Sequence, residues 1–425
     1  MADAPQPDDD WRDNDGVPEL DLSKLFGSLD MAQLFHTLGA PGPVNWEIAS
    51  QLASQIATEG EAEPSIADAD RSELEELAHA AQTHVAGETG LAAMFAAPVR
   101  AMQRREWAAL HLTALRPVLE TLAATLGKVF DPEAMRSLFD QVDLAAVGLP
   151  DLDDGAPGEG NAEALAAMAP MLAPVLLGVQ AGSMIGYLAR HALGRYDLPL
   201  PTSDEPTLAF VVANLDEFET AWSLERADLR FYVAIHEVVH AATRSVPWVR
   251  ERLVQLATDY VGGYELDPSD LDARLRDSRF ADIDPEDPSS IQELATHPEE
   301  LLGALRTDHQ QMILGQARVF HSVLEGYADS VLERVGRKLI PSFDRIHEAM
   351  ARHRIERGEA ERFVEGLLGL AVDREDYERG TEFVRGVVER AGVDGLNRLW
   401  ERAEMEPTPN ELVAPGLWLA RIDLA

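Results

Sequence analysis

Along most of this 425-residue chain apolar residues recur at intervals of three and four, the signature of one buried face on a helix. From Val44 to about Asp140 the pattern is mostly helical, as in WAALHLTALRPVLETLAATLGKVF. Residues 225–245, ERADLRFYVAIHEVVHAATRS, predict one helix that stops before Pro247. Residues 301–338 predict strong helix and 343–404 further helices. The best strand candidate is in LAFVVANLDEF, residues 208–218, whose apolar run is short, partly β-branched and bounded by Pro and Asn. These elements predict a mainly α fold with a minor β element.

Residues 164–189 contain no charged side chain, a length that could span a bilayer. Pro170, Pro174, Gly178, Gln180, Gly182, Ser183 and Gly186 interrupt the run, and no dense basic cluster flanks it. It is expected to be a buried helix, or two broken at a proline, with no membrane span. The Gly-, Pro- and Asp-rich stretch LPDLDDGAPGEGN, 149–161, reads as the main linker. It separates an acidic, largely disordered leader (1–43) and an N-terminal helical region (44–150) from a catalytic region (162–425). Residues 265–300 are polar and punctuated by proline, and within them DPSDLD (267–272) lacks full EF-hand spacing and reads as a loop or helix cap.

Composition narrows the chemistry. Seventy-five acidic against 36 basic side chains give a formal charge of −39, which repels nucleic acid and anionic lipid and is expected to serve solubility. The chain has no cysteine, so thiolate metal sites, disulfides and a cysteine nucleophile are excluded. Any metal must be held by His, Asp or Glu. The start, MADAPQPDDDWRDNDG, lacks the basic and apolar segments of a secretory signal, and a cytoplasmic location is expected.

The run HEVVH, 236–240, carries the chemistry. Positions i and i+4 share a helix face, so His236 and His240 can put two nitrogens on one Zn2+, with Glu237 beside the open coordination position as general base. With 12 His in the chain, chance gives on the order of 0.03 such matches. The apolar residues FYVAI before the motif and VVHAA across it suit a buried active-site helix. A third ligand is wanted. In ARVFHSVLEGYADSVLERVG, 317–336, Glu325 lies in an apolar helical stretch where an unpaired carboxylate is costly, although by itself it also reads as a solvated helix position. Asp329, one turn later, shares its face and could accept the second ring N–H of a ligand histidine. His321, one turn earlier, is a further ligand candidate or a group supporting one. His297, His309, His347 and His353 read as solvated, and His36, His79, His84, His111 and His191 as ordinary helix-face residues. No G-x-S-x-G elbow, Walker loop or dinucleotide turn appears.

Several blocks resemble a bacterial family of zincin-like metallopeptidases, catalogued as candidate hydrolases or as proteins associated with biosynthesis of a deazaflavin cofactor. They include GPVNWEIA (42–49), GSMIGYLARHALGRYDLPLP (182–201), NLDEFE (214–219), LRFYVAIHEVVHA (229–241), VLEGYADSVLERVG (323–336) and PTPNELVAPGLWLARI (407–422). The resemblance implies His236, His240 and Glu325 as the zinc ligands, Glu237 as base and Asp329 as the acid that steadies a ligand histidine, the gluzincin arrangement. It implies peptide or protein as substrate. The competing expectation is a protein of the same ancestry that binds zinc or a peptide without efficient turnover; the presence of Glu237 favours the enzyme. A regulatory role in cofactor biosynthesis rests on association alone.

Overall fold

A computed structural model describes residues 42–91, 97–126, 159–202, 206–264, 306–355, 358–370 and 372–424. Residues 1–41 of the expected leader, 149–158 of the expected linker, the polar 265–300 stretch with DPSDLD, and His36 and His297 lie outside the described residues.

Among the described residues the chain forms fourteen α-helices and one two-stranded parallel sheet, the mainly α architecture expected. In chain order these are α1 (Trp46–Ala57), α2 (Asp68–Thr89), β1 (Val99–Met102), α3 (Arg104–Ala114), α4 (Arg116–Leu126), α5 (Glu159–His191), β2 (Leu208–Val211), α6 (Val212–Ala221), α7 (Arg226–Arg244) and α8 (Pro247–Gly262). There follow α9 (Asp308–Leu339), α10 (Phe343–Ile355), α11 (Glu359–Leu368), α12 (Arg374–Asn397), α13 (Pro409–Val413) and α14 (Pro415–Leu424). One apolar cluster runs from Ala49 in α1 to Ile422 in α14 and takes in residues from both sides of the 149–161 stretch.

Two central helices position the site. On α7 every residue from Tyr232 to Arg244 is buried, because α2, α6, α9, α10 and β2 pack around it. Its first turns are tied down by Arg230, whose buried guanidinium reaches Asp216 at 2.6 Å, Glu219 at 2.9 Å, Glu73 at 3.1 Å and Asp70 at 3.3 Å. A buried cation needs such partners, since its desolvation is costly when unpaired. The long helix α9 starts at a capping box, with Gln310 N donating to Thr307 Oγ1 and Thr307 N to Gln310 Oε1, and ends just before Pro341. It packs along α7 and against α12, where Gly326 and Gly380 let the two backbones touch. A Cβ on Gly380 would lie 1.9 Å from Ser322 O.

The uncharged stretch forms part of the single helix α5, which continues past Pro170 and Pro174. Its glycines are contact points: Gly178, Gly182 and Gly186 face Asn45, Ala49 and Ala53 of the α1 segment at distances no larger side chain allows. No helix among the described residues is long and apolar enough to cross a membrane.

The strand expectation needs correcting at its C-terminal end. Only Leu208–Val211 is extended, and α6 takes over at Val212. Its partner β1 was not anticipated, because VRAM is four residues long without alternation and its pairing, Val99 with Leu208 through Met102 with Val211, is non-local. Along the other edge of β2 runs the turn after α5. Val211 N donates to Leu193 O and Arg195 N approaches Ala209 O, which fixes residues 193–196 over α7.

Candidate metal centre

His236 and His240 project from the same face of α7, one turn apart, with ring centroids 4.4 Å apart. Helix α9 supplies Glu325, whose Oε1 lies 3.6 Å from His240 Nε2. One donor atom from each of His236, His240 and Glu325 falls within 4.8 Å of the others, and all three residues are buried. His240 Nε2 has no hydrogen-bond partner although it is buried. Leaving such an atom unsatisfied costs about 1–3 kcal/mol, which a coordinated cation would remove. Two imidazoles and a carboxylate form the nitrogen and oxygen donor set that suits zinc. The residues therefore fit a metal.

Burial, with a smaller contribution from the Arg354 charge, lowers the His236 pKa to about 4. Burial, then His236 and Arg244, holds His240 well below the ordinary histidine range. Both rings are thus neutral, the form whose lone pair a metal takes.

Glu237 points into the 194–196 turn. Its Oε2 accepts from Arg195 N at 3.0 Å and its Oε1 from Tyr196 N at 2.8 Å. Oε1 also stands 4.0 Å from His236 Nδ1, which keeps the carboxylate adjacent to a ligand ring. Burial pushes Glu237 up to about 8 against the opposing pull of the two backbone N–H groups. Gly194 makes room for it, since a Cβ there would lie 2.5 Å from Glu237 Oε1.

Two arginines that the sequence reading passed over stand against the ligands. Arg354 of α10 donates to Asp329 Oδ1 at 3.0 Å, and the same Nη1 lies 3.6 Å from Glu325 Oε2. Asp329 is thus hydrogen-bonded to Arg354, while its negative charge still bears on His236. Arg244, one turn after His240, places Nη1 2.7 Å from His240 Nδ1 and stacks over the Tyr196 ring at 4.9 Å. Its Nε and Nη2 are buried without hydrogen-bond partners, and among the described residues no carboxylate pairs with it, unlike Arg230. A guanidinium only donates, so this contact suits the tautomer with the lone pair on Nδ1, whereas a cation held on Nε2 requires the proton on Nδ1, where it would face the Arg244 N–H.

Ligand histidines usually gain metal affinity from a partner that accepts their second N–H, and a cationic donor in that place acts in the opposite sense. A unit charge at about 4 Å is worth ~1–4 kcal/mol between water-like and near-surface screening. Replacing Arg244 by Met should therefore raise zinc affinity by about tenfold. Competition titration against a chelator checks this, and an unchanged or weaker affinity would remove Arg244 from the electrostatics of the site.

Among the remaining histidines, several are not where the sequence put them. His353, expected in solvent, is buried, with Nε2 3.1 Å from Asp197 Oδ2. Burial alone would raise the Asp197 pKa, yet His353 and the Leu193 N–H hold it well below the usual carboxylate range. His347 is half-buried, with Nδ1 2.8 Å from Tyr232 Oη, because α10 folds back over α7 and covers a face that reads as polar. His111 is fully buried between the Trp107 and Arg195 carbonyls. His309 is exposed, as expected, and His79 and His84 are exposed on α2. His321 is buried one turn before Glu325, and its charge bears on His240, but it lies outside the three-donor group.

A family model described as zincin-like metallopeptidase matches residues 44–419. No curated protein matches the chain. Among solved structures, a protein of Chloroflexus aurantiacus described as a candidate hydrolase with a novel fold is similar, at 24% identity and a TM-score of 0.54. The match covers 89% of this chain and 99% of that one, and it shows a shared fold.

Proposed function

The chain belongs to the zincin-like metallopeptidase family, and from that premise we propose that it is a zinc-dependent peptidase of gluzincin type acting on peptide or protein substrates. The observation that carries the reading is the convergence of His236, His240 and Glu325 within 4.8 Å, with Glu237 next to the first of them. These three side chains would hold Zn2+. When bound, the ion supplies Lewis acidity, polarising a scissile carbonyl and making water a better nucleophile near neutral pH.

The protein's own groups do the rest. Glu237 takes a proton from the attacking water and passes it to the leaving amine nitrogen. The Arg195 and Tyr196 N–H groups fix the direction of its carboxylate, and each oxygen keeps a second lone pair for the proton. With a pKa of about 8 the acid lies near neutrality, where one group can serve as base and then as acid. Arg354 orients Glu325 through its charge, held in place by Asp329.

Gly194 gives this role a separate test. An alanine there must displace the Glu237 carboxylate or the turn that holds it. Misplacing a catalytic group by about 1 Å can cost ~10²-fold. Gly194→Ala is expected to lower peptide hydrolysis by roughly 10- to 100-fold with zinc content retained. Full activity in this variant would show that the 194–196 turn does not set the base.

Binding of zinc or a peptide without turnover is the second reading, favoured by one feature: Glu237 is fully buried and both its oxygens are already engaged. Metal analysis of the purified chain together with cleavage of a peptide library separates the two. The peptidase reading expects about one zinc per chain and cleavage that a chelator abolishes and zinc restores. Zinc retained with no peptide cleaved would establish the binding protein. An acidic chain without cysteine suits the cytoplasm, where we place it, with neither nucleic acid nor membrane as partner.

A further inference from the structure

The three ligands are buried, with His240 fully enclosed and His236 and Glu325 only 5% and 6% exposed, so a substrate has to reach them through an opening in the fold. Surface clefts among the described residues include ones of about 540, 720 and 250 Å3. The first lies beside α1, α5 and α6 and the third beside β1; neither is lined by a residue in contact with the ligand group. The 720 Å3 cleft is. It opens between α10 and α12, and its wall includes Asp329, His347, Arg354, Tyr377 and Thr381. Arg354 bridges cleft and centre, because the Nη1 that meets Asp329 Oδ1 stands 3.6 Å from Oε2 of the ligand Glu325.

We propose that this cleft is the substrate-binding groove, that it takes an extended hydrophilic peptide segment, and that Arg354 at its inner end contacts the substrate. The inference rests on the peptidase reading and adds to it the direction of approach and the substrate class. The size falls within the ~300–1,000 Å3 usual for ligand sites. The lining mixes cations, carboxylates and one tyrosine, and so offers donors and acceptors for peptide groups and polar side chains. A polyphosphate would meet Asp329, Glu348, Glu378 and Glu382 beside the cations. The guanidinium of Arg354, planar and a donor only, is suited to a backbone carbonyl or carboxylate arriving from the cleft.

The absence of cysteine makes a direct test available. Thr381 is exposed on the cleft wall, so Thr381→Cys introduces the sole thiol of the chain at that point. The zinc-loaded variant is treated with iodoacetamide in the presence of saturating acetohydroxamate or of a pentapeptide hydroxamate, both of which chelate zinc while only the second extends away from it. Binding of each is confirmed by calorimetry. The proposal expects the peptide hydroxamate to slow alkylation by about tenfold or more and acetohydroxamate to leave it unchanged, the difference reflecting occlusion of a cleft wall by bound ligand. In addition, Arg354→Lys, which keeps the charge, should reduce the affinity advantage of the peptide hydroxamate over acetohydroxamate by about tenfold through loss of the planar fork. If both compounds bind and alkylation is equally fast with either, the groove lies elsewhere and the proposal is overturned while the peptidase reading stands. If acetohydroxamate itself does not bind the zinc-loaded protein, the metal reading fails and takes this proposal with it.

Discussion

Replacing Glu237 by Gln is expected to leave the zinc content of the protein intact and to lower peptide hydrolysis by about 10²-fold or more, the usual scale for loss of a general base. The change keeps the length of the side chain but removes its ability to take a proton. The structure adds a second consequence. Both carboxylate oxygens accept from backbone N–H groups, of Arg195 and Tyr196, and an amide offers only one oxygen. One of those N–H groups would then face an NH2 donor, at a cost of about 1–3 kcal/mol for an unmet buried donor. A thermal melt run beside the assay therefore belongs to the experiment. Lost activity with zinc retained and a folded protein identifies the base, whereas unchanged hydrolysis would remove Glu237 from the mechanism.

A different signature is expected from His240→Ala and Glu325→Ala. Each deletes a bond to the ion, and even losing a group that merely supports a ligand typically costs 10- to 100-fold in metal affinity. Zinc affinity should accordingly fall by at least about 10²-fold in either variant, and hydrolysis with it. Glu325→Ala also removes one of the carboxylates beside Arg354, so its fold should be checked by the same melt. The two sets of variants separate because one removes a proton acceptor and the other a metal bond. Wild-type zinc affinity in Glu325→Ala would disqualify Glu325 as the third ligand.

Much of the site was legible because its spacing is local. HEVVH fixes two donors on one helix face whatever surrounds it, and the apolar neighbours of Glu325 mark a carboxylate that has to be buried against something. The groups that the sequence reading missed act across space. Arg354 sits on α10 and meets Glu325 and Asp329 of α9 only after the fold brings the helices together. The N–H groups that hold Glu237 belong to the turn after α5, and a backbone donor leaves no mark in side-chain chemistry. Arg244 was within reach, since it repeats the four-residue spacing from His240 in an otherwise apolar stretch, and a charged residue there asks for a reason.

The fold shows the same division. Helix periodicity located α7 and α9 because each buries a broad apolar face. The pairing of β1 with β2 depends on contacts between distant segments, and four residues of VRAM carry no pattern to announce it. His353 and His347 were read as solvated because their own helix looks polar. What buries them is packing from elsewhere: α10 folding onto α7 and the Asp197 carboxylate from the turn after α5.

The central claim is that one zinc ion is held by His236, His240 and Glu325. Anomalous diffraction from zinc-loaded crystals at the zinc absorption edge tests it most directly. The account predicts a single strong peak with a nitrogen of each histidine and a Glu325 oxygen about 2.0–2.2 Å away. A peak elsewhere in the molecule, or zinc bound by the two histidines with Glu325 turned away, would contradict it.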